Sequence, residues 1–135
     1  MPRNLWTLAA LSMVAASFVA LPGCSGSTRT GAPYTLKADR EIEAYLPGDV
    51  RTVHEEALWV VREHFGFRLV REAVDLREGY IEARTAQDNV VRIETYRSGD
   101  RITRIEVFVG PLGDEPAMKD ILGEIDLRVN RRGRD

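Results

Sequence analysis

Cysteine is almost absent from this 135-residue chain and occurs once, at Cys24. A single thiol excludes an intramolecular disulfide and a metal site built from several cysteines. The chain has two histidines. Both fall in one predicted helix, so no serine- or cysteine-based catalytic triad is indicated. The formal net charge is −2, with acidic and basic residues interleaved. The sequence therefore predicts no nucleic-acid partner.

Long apolar runs are also scarce, and the one present lies near the start of the chain. A short segment containing Arg3 precedes the apolar stretch of residues 5–21, and Pro22, Gly23 and Cys24 follow it. A basic start, an apolar run and a small residue before the cleavage site are the layout of a secretory signal. The stretch is shorter than the ~20 residues that a membrane-spanning helix needs.

The segment Leu21-Pro22-Gly23-Cys24 resembles the lipobox of bacterial lipoproteins. The resemblance implies that residues 1–23 are a signal peptide, cleaved between Gly23 and Cys24, and that Cys24 is acylated, with palmitate as one of its chains. We therefore expect an anchored protein of the cell envelope whose first partner is the lipid bilayer. Ser25 replaces the aspartate that retains some lipoproteins at the inner membrane, which favours the outer membrane, facing the periplasm.

The rest of the chain has the length of one small domain. Residues 24–37 are predicted to be the lipidated cysteine and a flexible tether, because residues 25–33 contain no large apolar side chain. Residues 38–130 form the predicted domain. Residues 131–135 form a basic C-terminal tail.

The spacing of apolar residues predicts two helices and five strands. Alternating apolar and polar side chains, typical of strands, occur over residues 41–46, 68–74, 80–85, 90–96 and 102–109. Asp49 and Asp114 are the predicted N-caps of the helices, and Gly66 is the predicted left-handed residue after the first helix. The predicted buried helical positions are Val50, Val53, Ala57, Leu58, Val61 and Phe65, then Met118, Ile121, Leu122, Ile125 and Val129.

Each strand whose pattern can be read has one apolar and one charged face. We therefore expect an α+β fold: an antiparallel sheet in β-α-β-β-β-β-α order, with both helices on its apolar face and the charged face in water. The pattern of residues 68–74 does not decide which side of that strand faces the core.

Charge complementarity also predicts two strand registers. For the last two strands, the predicted cross-strand pairs are Ile93 with Ile105, Arg92 with Glu106 and Glu94 with Arg104. For the strands over 80–85 and 90–96, they are Glu82 with Arg92 and Tyr80 with Glu94.

Several segments carry a resemblance to a known family. They are Cys24, Gly66, residues 79–83 (GYIEA) and residues 102–110 (ITRIEVFVG), which continue into residues 113–115. On these the chain resembles a family of small bacterial lipoproteins, domain of unknown function 3568. The resemblance implies no activity and no catalytic residues. The element order is also similar to helix-grip domains of lipoprotein subunits that assist outer-membrane barrel assembly, a likeness of topology only.

Residues with catalytic or metal-binding chemistry do not form a coherent set. His54 and Glu55 begin a zinc-protease motif, but Leu58 takes the place of its second histidine. His64 points about 80° away from His54 on a helix, so both are expected at a helix surface or core edge. We predict no metal and no cofactor.

The sequence thus favours a non-enzymatic binding or scaffolding domain that holds an unknown envelope protein. The alternative is a hydrolase that acts on envelope glycans or lipids through carboxylates such as Glu82, Glu94 and Glu106. In the predicted registers these acids face arginines, which is the arrangement of ordinary ion pairs.

Two surfaces are candidates for binding a partner. The first is the charged sheet face, where Tyr80, Tyr96, Ile102 and Phe108 are predicted to be exposed. Phe108 is the best anchor candidate there. The second is the basic segment of residues 128–134, although its charges are also those that stabilise the end of a helix.

Overall fold

The computed structural model describes residues 24–135; the predicted signal peptide lies outside these residues. The described part contains seven strands and two helices. Their bounds are β1 Ser25–Ser27, β2 Pro33–Leu36, β3 Ile42–Pro47, α1 Val50–Trp59, β4 Arg68–Val74, β5 Glu78–Arg84, β6 Val90–Arg97, β7 Ile102–Val109 and α2 Glu115–Arg132. All strand pairs are antiparallel, in the order β1-β2-β3-β7-β6-β5-β4. Neither helix is long and apolar enough to cross a membrane.

The predicted α+β class is confirmed, and the predicted β-α-β-β-β-β-α order runs from β3 to α2. Helix α1 packs on β5 and β6, and α2 packs on β3 and β7, so both helices cover the same face of the sheet. The core lies between them and the sheet. Its fully buried side chains include Ile42, Leu46, Ile81, Ile93, Ile105, Met118, Ile121, Leu122 and Ile125.

Both predicted helix caps are confirmed. The Asp49 carboxylate accepts a hydrogen bond of 2.7 Å from the Thr52 amide, and Asp114 accepts one of 3.1 Å from the Ala117 amide. Helix α1 continues into one π-helical turn over Val60–His64. This wider turn allows both Val60 and Val61 to be buried, whereas the 3.6-residue spacing predicted only the second.

The prediction that residues 24–37 are a flexible tether, made because residues 25–33 lack large apolar side chains, is wrong. Strands β1 and β2 form a hairpin that extends the sheet beyond β3. Tyr34, just after residues 25–33, is buried, and its hydroxyl donates to Glu115 of α2 over 2.9 Å. Thr30 donates to Asp126 of α2 over 3.0 Å. Backbone pairing and polar contacts with α2 thus order residues 25–33 although they lack large apolar side chains.

The predicted register between β6 and β7 is wrong by two residues. Ile93 lies opposite Val107, Arg92 opposite Phe108 and Glu94 opposite Glu106. A tight turn sets this register, because the amides of Ser98 and Gly99 both donate to the Ile102 carbonyl. A shift of two leaves every side chain on its predicted face. The register of β5 and β6, with Glu82 opposite Arg92 and Tyr80 opposite Glu94, is confirmed.

The inner face of β4, which its pattern left open, is set by an irregularity between Leu69 and Arg71. Leu69, Glu72 and Val74 lie opposite Ala83, Ile81 and Gly79 of β5, on the helix-covered side. The pattern is unreadable because the irregularity breaks the alternation and because a charged residue, Glu72, lies on the inner side.

The boundary of the predicted C-terminal tail also needs correction. Helix α2 extends to Arg132, so it includes the first two residues of the predicted tail. Arg132 is held there by contacts of 2.9 Å with Glu55 and 3.1 Å with Glu56 of α1. These pairs between the two helices hold the end of α2 against α1, so Arg132 is not part of a free tail.

Candidate functional site

The candidate site is the face of the sheet opposite the helices, which we call the open sheet face. Among residues 24–135, no helix packs on it. Two rows of side chains cross its centre from strand to strand. The first row is Tyr80, Glu94, Glu106 and Glu43, and the second is Arg71, Glu82, Arg92 and Phe108.

The four residues predicted as a binding surface all belong to this face, but their exposure differs. Ile102, at the start of β7, is 48% exposed. Tyr80, Tyr96 and Phe108 are half-buried. Their role in binding stays a prediction.

Each of the three aromatic rings is covered by a guanidinium group. The Cζ atom of an arginine lies 4.8 Å from the ring centroid of Tyr80, 5.0 Å from that of Phe108 and 4.5 Å from that of Tyr96. The arginines are Arg71, Arg92 and Arg104 in that order. Distances of this size allow cation–π attraction, so each of these rings on the open sheet face is paired with a cation.

Three acids meet at the centre of the open sheet face. A carboxylate oxygen from each of Glu41, Glu94 and Glu106 lies within 4.8 Å of the others. Glu41 and Glu106 are only 7% and 6% exposed. Burial of two like charges at this distance is unfavourable unless cations compensate.

The compensating cations come from three different strands or turns. Lys37 Nζ lies 3.1 Å from Glu106 Oε1 and 3.7 Å from Glu41 Oε2. Arg104 Nη1 lies 3.2 Å from Glu106 Oε1, and Arg92 pairs with Glu41. Each buried acid therefore touches two cations. We call these five residues the ion-pair cluster: Lys37, Glu41, Arg92, Arg104 and Glu106.

Contacts in the ion-pair cluster shift the pKa of its members Lys37 and Arg92 and of the neighbouring Tyr96. Burial alone lowers the pKa of Lys37, but the hydrogen bond and charge of Glu106, together with the charges of Asp39 and Glu41, outweigh it, so the net pKa is raised. The hydrogen bond from Arg92 to Glu41 raises the pKa of Arg92. Burial, followed by the charges of Glu94 and Glu106, raises the pKa of Tyr96. Lys37 and Arg92 thus stay charged and the Tyr96 phenol stays protonated at neutral pH.

Carboxylate oxygens at this spacing are the ligand type that hard divalent cations prefer. Here Lys37, Arg92 and Arg104 already supply positive charge to the same carboxylates. We therefore describe the ion-pair cluster as a network of salt bridges and assign no metal to it. The predicted absence of metal stays a prediction.

Sequence reasoning missed Lys37 and Glu41. Lys37 was assigned to the tether, and Glu41 was predicted only as a strand residue. Their contacts with Glu106 and Arg92 span 69 and 51 positions in the sequence. No local pattern in the sequence indicates these contacts, because they depend on the pairing of Ile42 with Val107, which places the start of β3 beside the end of β7.

An open cavity on this face is lined by only one of the three acids of the hydrolase alternative. It has a volume of about 270 Å³ and is open to solvent. Its lining residues are Ala73, Val74, Asp75, Glu78, Gly79, Tyr80, Glu94 and Tyr96. It thus contains Glu94 but neither Glu82 nor Glu106, the other acids of the predicted hydrolase alternative.

The second candidate surface, residues 128–134, makes contacts within the domain. The guanidinium of Arg128 lies 3.5 Å from the ring centroid of Trp59 and donates to Glu56 over 2.7 Å. Arg132 also contacts Glu55 and Glu56. Two of the basic residues thus join α2 to α1, which supports their interpretation as structural.

Comparison with protein families matches residues 5–128 to a family described as protein of unknown function (DUF3568). The chain belongs to this family. The match confirms the resemblance to DUF3568, while the lipoprotein character stays a prediction; the matched range includes both Cys24 and the open sheet face. A search of curated proteins finds no match to the chain.

Two of the glycines on which the DUF3568 resemblance rested have clear structural roles. Gly66 has a φ of +65° after the π-helical turn, as predicted for the residue that ends the helix. Gly79 lies where strand β5 packs against His54 of α1. A Cβ at position 79 would lie 2.5 Å from Thr95 Oγ1 and 2.6 Å from His54 Nδ1.

His54 was predicted at a helix surface or core edge, but it lies in the core of this DUF3568 protein, at 2% exposure. Its Nε2 atom is 2.7 Å from Glu72 Oε2. Among the described residues, His54 Nδ1 and Thr95 Oγ1 have no hydrogen-bond partner. His64 is exposed, with Glu124 4.0 Å away. The two histidines thus have different acidic neighbours, and their ligand atoms do not converge on one site.

Proposed function

We propose that this protein is a lipid-anchored lipoprotein of the bacterial cell envelope whose α+β domain binds or scaffolds another envelope protein through the open sheet face. The observation that carries the proposal is the ion-pair cluster with its three covered aromatic rings. These residues form a broad surface of mixed charge, with one open cavity beside Tyr80 and Tyr96. Aromatic and arginine side chains are enriched in protein–protein interfaces.

The anchor part of the proposal rests on residues 21–24, which have the order of a lipobox. The family match begins at residue 5, so it includes the apolar run as well as Cys24. Cys24 is exposed and not in a disulfide. A single acyl chain gives only reversible membrane binding, so stable anchoring requires more than one chain. Ser25 favours the outer membrane, facing the periplasm.

Metabolic labelling tests the anchor. Wild-type protein is expected to incorporate [³H]palmitate and to accumulate as an uncleaved precursor in the presence of globomycin. Cys24→Ser is expected to abolish the label. Wild-type protein that takes up no label and matures normally with globomycin contradicts the anchor and the localisation.

Site-specific photo-crosslinking in intact cells tests the binding face. The photoreactive residue benzoylphenylalanine replaces Phe108 on the open sheet face or, as a matched control, Trp59 on the helix side. Both native residues are aromatic, and Trp59 is also accessible. We expect a discrete adduct from position 108 and none from position 59. Equal yields from the two positions, or an adduct from position 59 alone, contradict binding through the open sheet face.

The hydrolase alternative receives less support. A two-carboxylate mechanism needs both acids beside one substrate, but of the three acids of this alternative only Glu94 lines the open cavity. The other acids that line it are Asp75 and Glu78, and Asp75 accepts hydrogen bonds from two backbone amides of its own turn. Glu106 is also in direct contact with Lys37 and Arg104. Hydrolysis of envelope glycans or lipids by the purified protein, lost in Glu94→Gln, would favour this alternative.

A further inference from the structure

We propose that the domain docks directly on the phospholipid surface, through the end of the sheet at which Cys24 lies, and that Leu112 is its apolar contact with the lipid. The inference rests on the proposed acylation of Cys24 and specifies how the anchored domain is oriented. Its basis is the absence of a free segment between Cys24 and the sheet, together with an exposed leucine at the same end.

Cys24 is already attached to the folded domain. Its carbonyl oxygen accepts a hydrogen bond of 3.0 Å from the Leu36 amide, and the next residue, Ser25, pairs with Thr35. A free tether over residues 24–37 would extend about 45 Å. Because the chain is instead paired from its first mature residue, acyl chains on Cys24 would hold this end of the sheet at the bilayer.

The turn between β7 and α2 lies at the same end. Strand β2 ends beside Cys24, and β3 then starts at Ile42, which pairs with Val107 near the end of β7. The two turns at this end touch each other. Arg40 Nη1 donates to the Leu112 carbonyl over 2.9 Å. A Cβ at Gly113 would lie 2.7 Å from Arg40 Cβ, so only glycine allows this approach.

The chemistry of this end suits a lipid surface. Leu112 is 69% exposed and sits beside the exposed Arg40. An apolar side chain can enter the boundary between headgroups and acyl chains, while a neighbouring arginine meets phosphate. Lys37 and Asp39 pair with each other at 3.6 Å. We therefore do not expect electrostatic attraction to anionic lipid to be the main contribution to the free energy of docking. We therefore expect docking on zwitterionic phosphatidylcholine as well.

The chain contains a matched control. Leu76, in the turn between β4 and β5, is 75% exposed. Strand β5 runs in the same direction as β7, so the start of β5 and the end of β7 lie at opposite ends of the sheet. Leu76 and Leu112 are thus two exposed leucines, one at each end.

Fluorescence quenching by lipid tests the orientation. Leu112→Cys and Leu76→Cys are prepared as full-length proteins, purified from cells in the acylated form and labelled with an environment-sensitive dye. Since acylation consumes the Cys24 thiol, the introduced cysteine is the only free one. The proteins are reconstituted in phosphatidylcholine vesicles with headgroup-level nitroxide lipid. We expect the label at position 112 to lose most of its fluorescence and the label at position 76 to keep it.

Each outcome decides the inference. Weak quenching at both positions shows a domain held away from the bilayer, and stronger quenching at position 76 shows the opposite orientation; either overturns it. A Gly-Ser insertion between Cys24 and Ser25 should relieve the quenching at position 112. Mass spectrometry of the same preparations separates the two proposals. Unacylated Cys24 contradicts the lipoprotein proposal and this inference together, whereas acylated Cys24 with an unquenched label at position 112 contradicts this inference alone.

Discussion

Substitution of Gly79 by alanine tests how closely β5 packs against α1. The new methyl group would lie 2.5 Å from Thr95 Oγ1 and 2.6 Å from His54 Nδ1. Both neighbours are almost fully buried, so neither side chain has free space to move into. The added Cβ must therefore displace one of these packed side chains or move β5 away from α1.

The expected cost follows from two opposing terms. Overpacking of a core costs about 1–3 kcal/mol, and replacing glycine in a strand recovers about 0.5–1 kcal/mol of conformational entropy. With the middle of each range, Gly79→Ala should thus lower the free energy of unfolding by roughly 1 kcal/mol. For a domain of this size, each kcal/mol lowers Tm by roughly 4 °C.

Urea unfolding of residues 24–135, followed by circular dichroism, measures the change. The matched control is Gly99→Ala, because a Cβ at position 99 would meet only Ile102 Cβ, at an ordinary 3.8 Å. Thr95→Ala removes one of the clashing atoms, so Gly79→Ala should cost less in that background. A Gly79→Ala protein as stable as wild type would refute the close packing of β5 on α1.

Three further substitutions test the open sheet face and one helix cap. Phe108→Ser should lower Tm much less than Ile105→Ser, since Phe108 is half-buried and Ile105 is in the core; equal losses would place Phe108 in the core. Lys37 has a raised pKa, so its contribution to stability is present below its ordinary value of 10.5 and is lost as pH rises through the folded value. Lys37→Met should therefore flatten the fall of Tm in this alkaline range, and an unchanged pH profile would contradict the pairing with Glu106. The hydrogen bond from the Thr52 amide lowers the pKa of Asp49, so its contribution is present above 3.8 and is lost as pH falls through the folded value. Asp49→Ala should cost about 1 kcal/mol at pH 7, measured by urea unfolding, and should make no difference once the cap is protonated; a cost that persists at low pH would contradict this role.

Features determined by neighbouring residues could be predicted from the sequence. Asp49 and Asp114 cap helices because each carboxylate reaches an amide three residues later. Gly66 ends the first helix because glycine adopts a positive φ without strain. The register of β5 and β6 followed from the opposite charges of Glu82 and Arg92. The faces of β3, β5, β6 and β7 followed from alternation alone, so the α+β class and the location of the open sheet face could also be predicted.

Features that depend on residues far apart in the chain were decided only by the tertiary structure. The hairpin of β1 and β2 is ordered by β3 and by α2, whose Glu115 lies 81 positions from Tyr34. The ion-pair cluster exists because pairing of β3 with β7 brings Lys37 to Glu106, a contact that no local pattern contains.

The register of β6 and β7 shows the same division. Alternation predicted which face each residue occupies, but charge pairing between two strands predicted the wrong partners. The turn closed by Ser98 and Gly99 sets the register, and it places Glu94 opposite Glu106. Lys37 and Arg104 make that pairing tolerable, and Lys37 comes from outside both strands. Pairwise charge rules fail here because the energy of each acid depends on all the cations that the folded chain brings to it.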